Sequence, residues 1–316
     1  MQIVRYSPEL AHEWNERVML SRNGTFLLDR RFMDYHSDRF VDASLMFYSG
    51  RQLLGLLPAS IDGEHVISHG GLTYGGFILS ADAHAQDVGE MLAGTMGHYR
   101  SMGVKTLTIK PIPTIYHSYP SDDELYWLTR HGAQLSARGL SSAVRLDTPI
   151  PFSTLRRRKV HLARQSGLVV EETADSTDFQ EYWEVLTEVL TQHHNRRPVH
   201  TIDEILRLRE SFPENIVLFV ARRPKDRKII AGTLLFLNQE VAHAQYIASS
   251  DEGRATGALD LLFYHVISDL QESSMSYFDF GISTENGGRY LNEGLNFQKE
   301  GYGARSVVYD AYTLQL

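Results

Sequence analysis

The chain has 316 residues, a hydrophobic fraction of 42% and a net charge of −8 at pH 7. This length suits two domains, and the acidic balance argues against a general nucleic-acid binder, so no DNA partner is expected. The sequence contains no cysteine, which excludes disulfides, thiolate nucleophiles and cysteine-ligated metals. Its first twenty residues are too charged for a secretory signal, and no apolar run reaches the length of a membrane span. We therefore expect a cytoplasmic protein.

The first half begins with a predicted β-hairpin, in which apolar runs at 43–48 and 53–58 flank a polar turn. The elements predicted after it are the strand Ile67–Ile78, the helix Asp87–Met102, the strand Val104–Ile109, the helix Asp123–Arg130 and the strand Leu140–Leu146. The helix 87–102 is indicated by apolar residues that recur at helical spacing. A break at Pro149-Ile150-Pro151 separates this half from the next.

The second half repeats this order after two added helices. The predicted elements are the helices Leu155–Gly167 and Ser176–Gln192, a hairpin at 216–221 and 229–234, the strand Val241–Ser250, the helix Ala258–Gln271, the strand Ser276–Phe280, a helix at 288–292 and the strand Arg305–Leu314. Two copies of one unit predict an α/β fold, in the α+β sense of mixed sheets, with domains at 1–150 and 151–316. A tandem duplication is the preferred origin, although shared α/β grammar produces part of such a likeness.

The turn Arg254-Ala255-Thr256-Gly257-Ala258 precedes a predicted helix. Free N–H groups and the positive dipole end at a helix start can hold a phosphate or pyrophosphate. A glycine at this place is also what any tight strand-to-helix turn requires. Both interpretations remain open.

Two basic segments invite a binding interpretation. The helix 155–167 carries Arg156, Arg157, Arg158, Lys159 and Arg164, either as a solvated face or as a phosphate-binding surface. The loop that follows residue 192 contains His193, His194, Arg196 and Arg197, and no acidic or thiolate ligand at a supporting spacing, so no metal site is expected. Thr201 and Glu204 form a capping box, which explains the exit of this loop. His194, Arg196 and Arg197 are interpreted as acceptor-binding, because paired arginines clamp carboxylates or phosphates.

Three motifs in the second half resemble those of a known family. Arg254 and Gly257 match the coenzyme A turn of GNAT acyltransferases, in which Leu259 replaces the last small residue; Tyr277-Phe278-Asp279-Phe280-Gly281 resembles a strand of Fem-type peptidyltransferases; and residues 294–303, Gly-Leu-Asn-Phe-Gln-Lys-Glu-Gly-Tyr-Gly, are similar to a further Fem-type segment. The chain is thus identified as similar to tandem GNAT, FemAB-like transferases, with two GNAT-like domains. The first copy lacks the motifs and is predicted to be degenerate.

The resemblance implies a set of site residues. It assigns Asp279, Glu285 and Lys299 to catalysis, with Lys299 meeting an anionic group, and Tyr246, Ala248, Arg254, Thr256, Gly257 and Ala258 to the donor. Asn286 belongs to a polar loop that is expected to lie above the same cleft, and it is predicted to bind the acceptor together with the histidine–arginine loop. No tightly bound cofactor is implied, and acyl-coenzyme A (acetyl-coenzyme A) is a possible co-substrate.

The expected function is transfer of an acyl or aminoacyl group, from acyl-coenzyme A or aminoacyl-tRNA, to an amine on a small molecule or a cell-envelope precursor. Attack by the amine is expected to be direct, since no cysteine exists and no Ser-His-Asp pattern is visible. The alternative is a non-catalytic ligand-binding protein that retains the duplicated fold. The Leu259 departure and the degenerate first copy favour this alternative.

Overall fold

A computed structural model describes residues 1–316, except for the side chains of His193 and His194. The chain divides into two compact units. The first comprises 1–140, 284–291 and 307–316, and the second comprises 141–283 and 292–306. These units differ from the predicted contiguous ranges 1–150 and 151–316, because short segments of each half are counted with the other unit.

The first unit contains two larger sheets, a small two-stranded sheet and the helices beside them. One sheet has the strand order Gln2–Arg5, Leu45–Ser49, Gln52–Leu57, Ile78–Leu79, and the other has the order 134–140, 307–315, Thr106–Ile109, His65–Ile67, Ser60–Asp62, Val41–Asp42. Its α-helices are Ala11–Met19, Arg30–Met33, Ala85–Ser101 and Asp123–Arg130, and its 3-10 turns are Pro8–Leu10, Phe26–Leu28, Asp34–His36, Thr114–Tyr116 and Asn286–Gly288. Strands Thr284–Glu285 and Tyr290–Leu291 form a small hairpin.

The helix Ala85–Ser101 provides much of the core of the first unit. Val88, Met91, Leu92 and Tyr99 lie on one face, at the spacing that the sequence predicts, and all four are completely buried. They pack in one cluster with the strand residues Leu45, Phe47, Leu57, Leu107 and Leu314. The unit therefore has its own hydrophobic core.

The second unit contains one sheet. Its strand order is Val169–Thr173, Ile216–Arg222, Ile229–Leu237, Val241–Ser249, Tyr277–Ile282, 141–145. Neighbours are antiparallel except for Val241–Ser249 and Tyr277–Ile282, which run parallel. Its helices are Thr154–Gln165, Ser176–His194, Ile202–Ser211, Asp251–Thr256, Ala258–Gln271 and Glu293–Glu300. The helix Ala258–Gln271 buries Leu262, Phe263 and Val266 against this sheet.

The last strand of each predicted half belongs mainly to the unit that consists mostly of the other half, and it pairs with a strand of that unit. In the first unit, Tyr312–Gln315 pairs with Thr106–Ile109. In the second unit, residues 141–145 pair with Tyr277–Ile282. Hydrophobic alternation predicts that a strand exists but not which strand it pairs with. The sequence therefore does not predict that the two closing strands are exchanged between the units.

Two predicted elements are wrong. Residues 67–78 do not form one strand, because a loop rich in glycine separates the strand His65–Ile67 from Ile78–Leu79. The closing helix is Glu293–Glu300, not 288–292, and it includes part of the motif at 294–303. The Asn292 side chain accepts a hydrogen bond from the Leu295 N–H and so starts this helix, while Gly287 and Gly288 have positive φ angles of 65° and 88° that a helix does not allow.

Candidate active site

The two parallel strands of the second unit separate partway along their length. Pairing joins Val241 to Tyr277, Ala242 to Phe278 and His243 to Asp279. It stops there, although the strands continue to Ser249 and Ile282. We call this place the strand fork. A fork in a sheet exposes strand ends to a ligand, as the crevice at the ends of parallel strands does in other α/β folds.

Asp279 lies at the strand fork and is completely buried. Its Oδ1 accepts hydrogen bonds from Ser141 Oγ at 2.5 Å and from the Gly281 N–H at 3.1 Å. Its Oδ2 lies 2.8 Å from Nδ1 of His243. A carboxylate only accepts hydrogen bonds, so the ring proton of His243 lies on Nδ1 and Nε2 is left as an acceptor. The His243 side chain is 15% exposed, and it is therefore the member of this pair that reaches the surface.

Ser141, Asp279 and His243 have the composition of a nucleophile triad but not its connectivity. In a triad the histidine contacts the serine and removes its proton. Here the carboxylate of Asp279 lies in the middle and contacts both the serine and the histidine. The Ser141 hydroxyl therefore donates to the carboxylate and helps to fix its position. The carboxylate in turn fixes the orientation of the His243 imidazole.

Lys299 is buried beside Gly281 and Ile282, which follow Asp279 closely in the chain. The helix Glu293–Glu300 positions it, and its Nζ donates to the carbonyl oxygens of Gly281 at 2.7 Å and Ile282 at 3.0 Å. Burial lowers the pKa of Lys299 to about 8, against the opposing charge of Asp279. A methyl group at Gly281 would lie 3.4 Å from Cε1 of His243. Lys299 and His243 therefore both lie close to the backbone at Gly281.

A cavity of about 350 Å³ opens between the diverging strands, and we call it the fork cavity. Both strands contribute to it, through Ile247, Ala248 and Ser249 on one side and Phe280 on the other. Its basic lining residues are Arg156, Lys159, Arg254 and Lys299. Arg156 is neutralised by an ion pair with the buried Asp260 at 3.0 Å, while Lys159 gives the rim a further positive charge. The fork cavity therefore combines apolar walls with a basic rim and suits an anionic ligand.

The predicted donor residues divide into two groups. Ala248 and Arg254 line the fork cavity. Arg254 donates from Nη1 to the Ser249 carbonyl oxygen at 3.0 Å and pairs with Asp251. Tyr246 instead lies against Trp183, and its hydroxyl is 2.7 Å from Nδ1 of His200.

The glycine turn has a structural explanation. Residues Asp251–Thr256 already form a short helix, in which the Thr256 hydroxyl donates to the Glu252 carbonyl oxygen at 2.9 Å. Gly257 ends that helix with a φ of 76°, and a Cβ there would lie 2.8 Å from the carbonyl oxygen of Lys159. Ala258 then starts the next helix and is buried. Backbone conformation and close packing account for Gly257 without a phosphate.

The remaining predicted site residues lie in other segments. Arg196 and Arg197 are exposed in the loop that follows the helix Ser176–His194, and His194 lies outside the residues whose side chains are described. Glu285 and Asn286 are exposed and belong to the first unit, at the end of the strand Thr284–Glu285. Asn286 has a φ of 52°, the left-handed conformation that asparagine tolerates in turns.

Sequence reasoning missed His243, Ser141 and the bulge beside them. His243 stands alone within Val241-Ala242-His243-Ala244-Gln245, and a lone histidine in an apolar strand is ordinarily a core residue. The register of Val241–Ser249 against its antiparallel neighbour skips Gln245, so this residue is the extra one of a β-bulge. The available signal was the polar pair His243 and Asp279 near equivalent points of two consecutive apolar strands.

Among the described residues, no group of three or more histidine, cysteine, aspartate or glutamate side chains is arranged to hold a metal ion. Within the same residues, no helix has the length and apolar character needed to cross a membrane.

Residues 152–290 match the family model described as an acetyltransferase (GNAT) domain. A comparison with curated protein sequences finds no significant match. Among solved structures, FemX is similar over 100% of this chain and 98% of its own, with 13% identity and a TM-score of 0.71. The C-terminal domain of a putative lysylphosphatidylglycerol synthetase from Agrobacterium fabrum is similar over 96% of this chain and 92% of its own, with 16% identity and a TM-score of 0.65.

A tandem GNAT protein from the clavulanic acid biosynthesis pathway is similar over 99% of this chain and 98% of its own, with 13% identity and a TM-score of 0.53. Residues 152–290 are thus similar to an acetyltransferase (GNAT) domain, and the chain has the fold of tandem GNAT and Fem-type proteins. The predicted fold class, of mixed sheets in two GNAT-like domains, is confirmed.

Proposed function

We propose that the second unit transfers an acyl or aminoacyl group to an amine at the strand fork. The observation that supports this most directly is the His243–Asp279 pair, in which a buried carboxylate orients an imidazole at the point where the strands separate. In the proposed step the amine nitrogen attacks the donor carbonyl carbon. The new C–N bond forms, the C–S bond of a thioester or the C–O bond of an ester breaks, and the amine proton moves to Nε2 of His243. The imidazolium then returns this proton to the leaving thiolate or alkoxide, which departs as the thiol or the hydroxyl.

Asp279 acts through His243 in this scheme. Its carboxylate is completely buried and already accepts from Ser141, Gly281 and His243, so a substrate amine has no route to it. It fixes the tautomer of His243 and stabilises the imidazolium that forms when the proton arrives. We therefore propose that His243, and not Glu285, accepts the amine proton. Asp279 is a positioning residue.

Lys299 and the fork cavity serve the donor. The ammonium of Lys299 lies at the inner end of the cavity and opposes negative charge that develops on the donor carbonyl oxygen or on a neighbouring phosphate. Lys159, at the rim, provides positive charge for the phosphates of either coenzyme A or the 3′ end of an aminoacyl-tRNA. Arg254 already pairs with Asp251 and stays a prediction for donor binding. Both donors occur in the cytoplasm, where we place the protein.

The acceptor is an amine, and we propose that a cell-envelope precursor carries it. The likeness in fold to FemX and to a lysylphosphatidylglycerol synthetase domain supports an aminoacyl donor and an acceptor that belongs to the cell envelope. The exposed pair Arg196 and Arg197 suits an anionic group on the acceptor. Asn286 and His194 stay predictions for acceptor binding.

Transfer assays with each donor test the proposal. The purified protein is incubated with acetyl-coenzyme A or with charged tRNA and a panel of amines, and the product is detected by mass spectrometry. Transfer from one donor, lost in His243→Gln, is the expected result. Thermal unfolding with coenzyme A then separates donors, because stabilisation that Lys159→Glu abolishes indicates a thioester. Ligand-induced stabilisation without transfer from any donor would instead identify a non-catalytic binding protein.

A further inference from the structure

A second cavity of the second unit lies along another face of the helix Thr154–Gln165. Its volume is about 390 Å³, within the range of about 300–1,000 Å³ that small-molecule sites occupy. We call it the helix cavity. Its walls are mainly apolar and include Val144, Ile150, Phe152, Val160, Tyr264 and Ile267. Of the residues that line the fork cavity, only Tyr302 also lines this one.

One edge of the helix cavity is basic. Arg157, Val160, His161 and Arg164 all line it and stand at positions i, i+3, i+4 and i+7 of the helix, which places them on one stripe. None of the residues that line this cavity is acidic. The chain as a whole is acidic, with a net charge of −8, so this local positive edge is not a property of the surface in general.

The two arginines of the stripe lack the neutralisation that Arg156 has. Arg156 points inward and pairs with Asp260 at 3.0 Å. Arg157 donates to the Phe152 carbonyl oxygen and, at 3.2 Å, to Thr154 Oγ1. The Arg164 guanidinium lies 4.6 Å from the centre of the Tyr264 ring. In the part of the chain that the structure describes, neither Arg157 nor Arg164 has a carboxylate within ion-pair distance.

We propose that the helix cavity binds an anionic amphiphile, a molecule with one apolar chain and a carboxylate or phosphate head. The chain removes the apolar walls from water, and the head pairs with Arg157 and Arg164. A cation is repelled by this edge, and a neutral chain leaves both guanidinium groups without an anion. This site does not depend on the transfer activity proposed for the strand fork. A free fatty acid and a membrane phospholipid share the required chemistry.

Calorimetric titration with decanoate tests the site, with decanol as a neutral probe of equal length. We expect one decanoate per chain and affinity for decanol on the order of tenfold weaker, because decanol makes no charge-assisted hydrogen bonds. The double variant Arg157→Gln, Arg164→Gln should weaken decanoate binding by a similar factor. Arg158→Gln is the matched control, since this arginine is exposed on the same helix and does not line the cavity.

Vesicles distinguish the two sources of the ligand. Sedimentation with phosphatidylglycerol vesicles but not with phosphatidylcholine vesicles, reduced by the double variant, identifies a membrane phospholipid. Binding of decanoate in solution without vesicle binding identifies a free fatty acid.

Occlusion provides a second test. Ser268 lines the cavity and is only partly buried, so Ser268→Phe should fill the space and remove decanoate binding while the melting temperature stays close to that of the parent chain. Equal affinities for decanoate and decanol, or decanoate binding that survives both the double variant and the occluding variant, would overturn the proposal. So would a protein that binds neither decanoate nor phosphatidylglycerol vesicles.

Discussion

Each unit buries a lysine ammonium against two backbone carbonyls of a turn that contains glycine. In the first unit, Nζ of Lys110 donates to the carbonyl oxygens of His69, at 2.9 Å, and of Leu72. In the second unit, Nζ of Lys299 donates to those of Gly281 and Ile282. Burial lowers the pKa of both lysines to about 8. The carbonyl-bound lysine is therefore a device that both units use.

The groups beside the two lysines differ. The first unit places His69 there, which is 3% exposed, and burial together with the positive charges of His36, Lys110 and Arg30 lowers the pKa of His69 to about 3. This imidazole stays neutral and enclosed. The second unit places the Asp279 carboxylate there, which holds an imidazole that reaches the surface. A buried lysine by itself is thus consistent with a structural role, and we propose that the carboxylate–imidazole pair adds proton-transfer chemistry.

The largest effect is expected from removing this imidazole. His243→Gln should lower kcat/KM for transfer by about 10²- to 10⁴-fold, because the amine then loses its general base. The measurement is steady-state transfer kinetics with the donor that the transfer assay identifies. His65→Gln is the control, since His65 is exposed and bonds Thr106 Oγ1 at 2.7 Å in the first unit. Equal activity of His243→Gln and His65→Gln would remove the difference drawn between the units.

Matched lysine variants separate structural from catalytic roles. Lys110→Met and Lys299→Met each remove an ammonium donor from two carbonyl oxygens, and each should lower the free energy of unfolding by about 1–3 kcal/mol. Only Lys299→Met should also lower kcat/KM, by about 10- to 100-fold, because only Lys299 lines the fork cavity. Urea denaturation and transfer kinetics on both variants provide the comparison. Full activity in Lys299→Met would show that both lysines are structural.

The sequence predicted the elements well and their partners poorly. The helices Asp123–Arg130 and Ala258–Gln271 have their predicted bounds, because apolar spacing along one segment decides where such a helix lies. Strand pairing joins distant segments, so the exchange of the closing strands left no local signal.

The same difference between local and long-range information applies to the candidate site. Asp279 and Lys299 stood out through their motifs, while His243 did not, because its meaning depends on the register that places it opposite Asp279. Gly257 pointed to a phosphate through its local pattern. Its close approach to Lys159, on a helix nearly a hundred residues earlier in the chain, is a structural reason that the local pattern does not show.

Gly257 in the second unit and Gly103 in the first both have a left-handed backbone conformation, so alanine variants of the two test whether packing explains Gly257. Gly257 has a φ of 76° with Lys159 O only 2.8 Å from an added Cβ, whereas Gly103 has a φ of 82° and open space around it. Gly103→Ala should cost about 1–2 kcal/mol of stability for the left-handed conformation alone. Gly257→Ala should cost more, since the helix Thr154–Gln165 must also shift. Equal losses in thermal unfolding would mean that packing does not explain Gly257.

The smallest effect lies in the pH dependence of stability. The folded chain loses protons from Lys110 and Lys299 near pH 8, while unfolded lysines keep theirs to about pH 10.4. Between these values the unfolded chain binds more protons, so the free energy of unfolding rises with pH, by at most about 1.4 kcal/mol per pH unit for each lysine. Urea titrations from pH 8.5 to 9.5 measure this slope. Lys110→Met and Lys299→Met should each remove one lysine's share of it, and a slope that only one of them reduces would mean that the two ammonium groups are not buried alike.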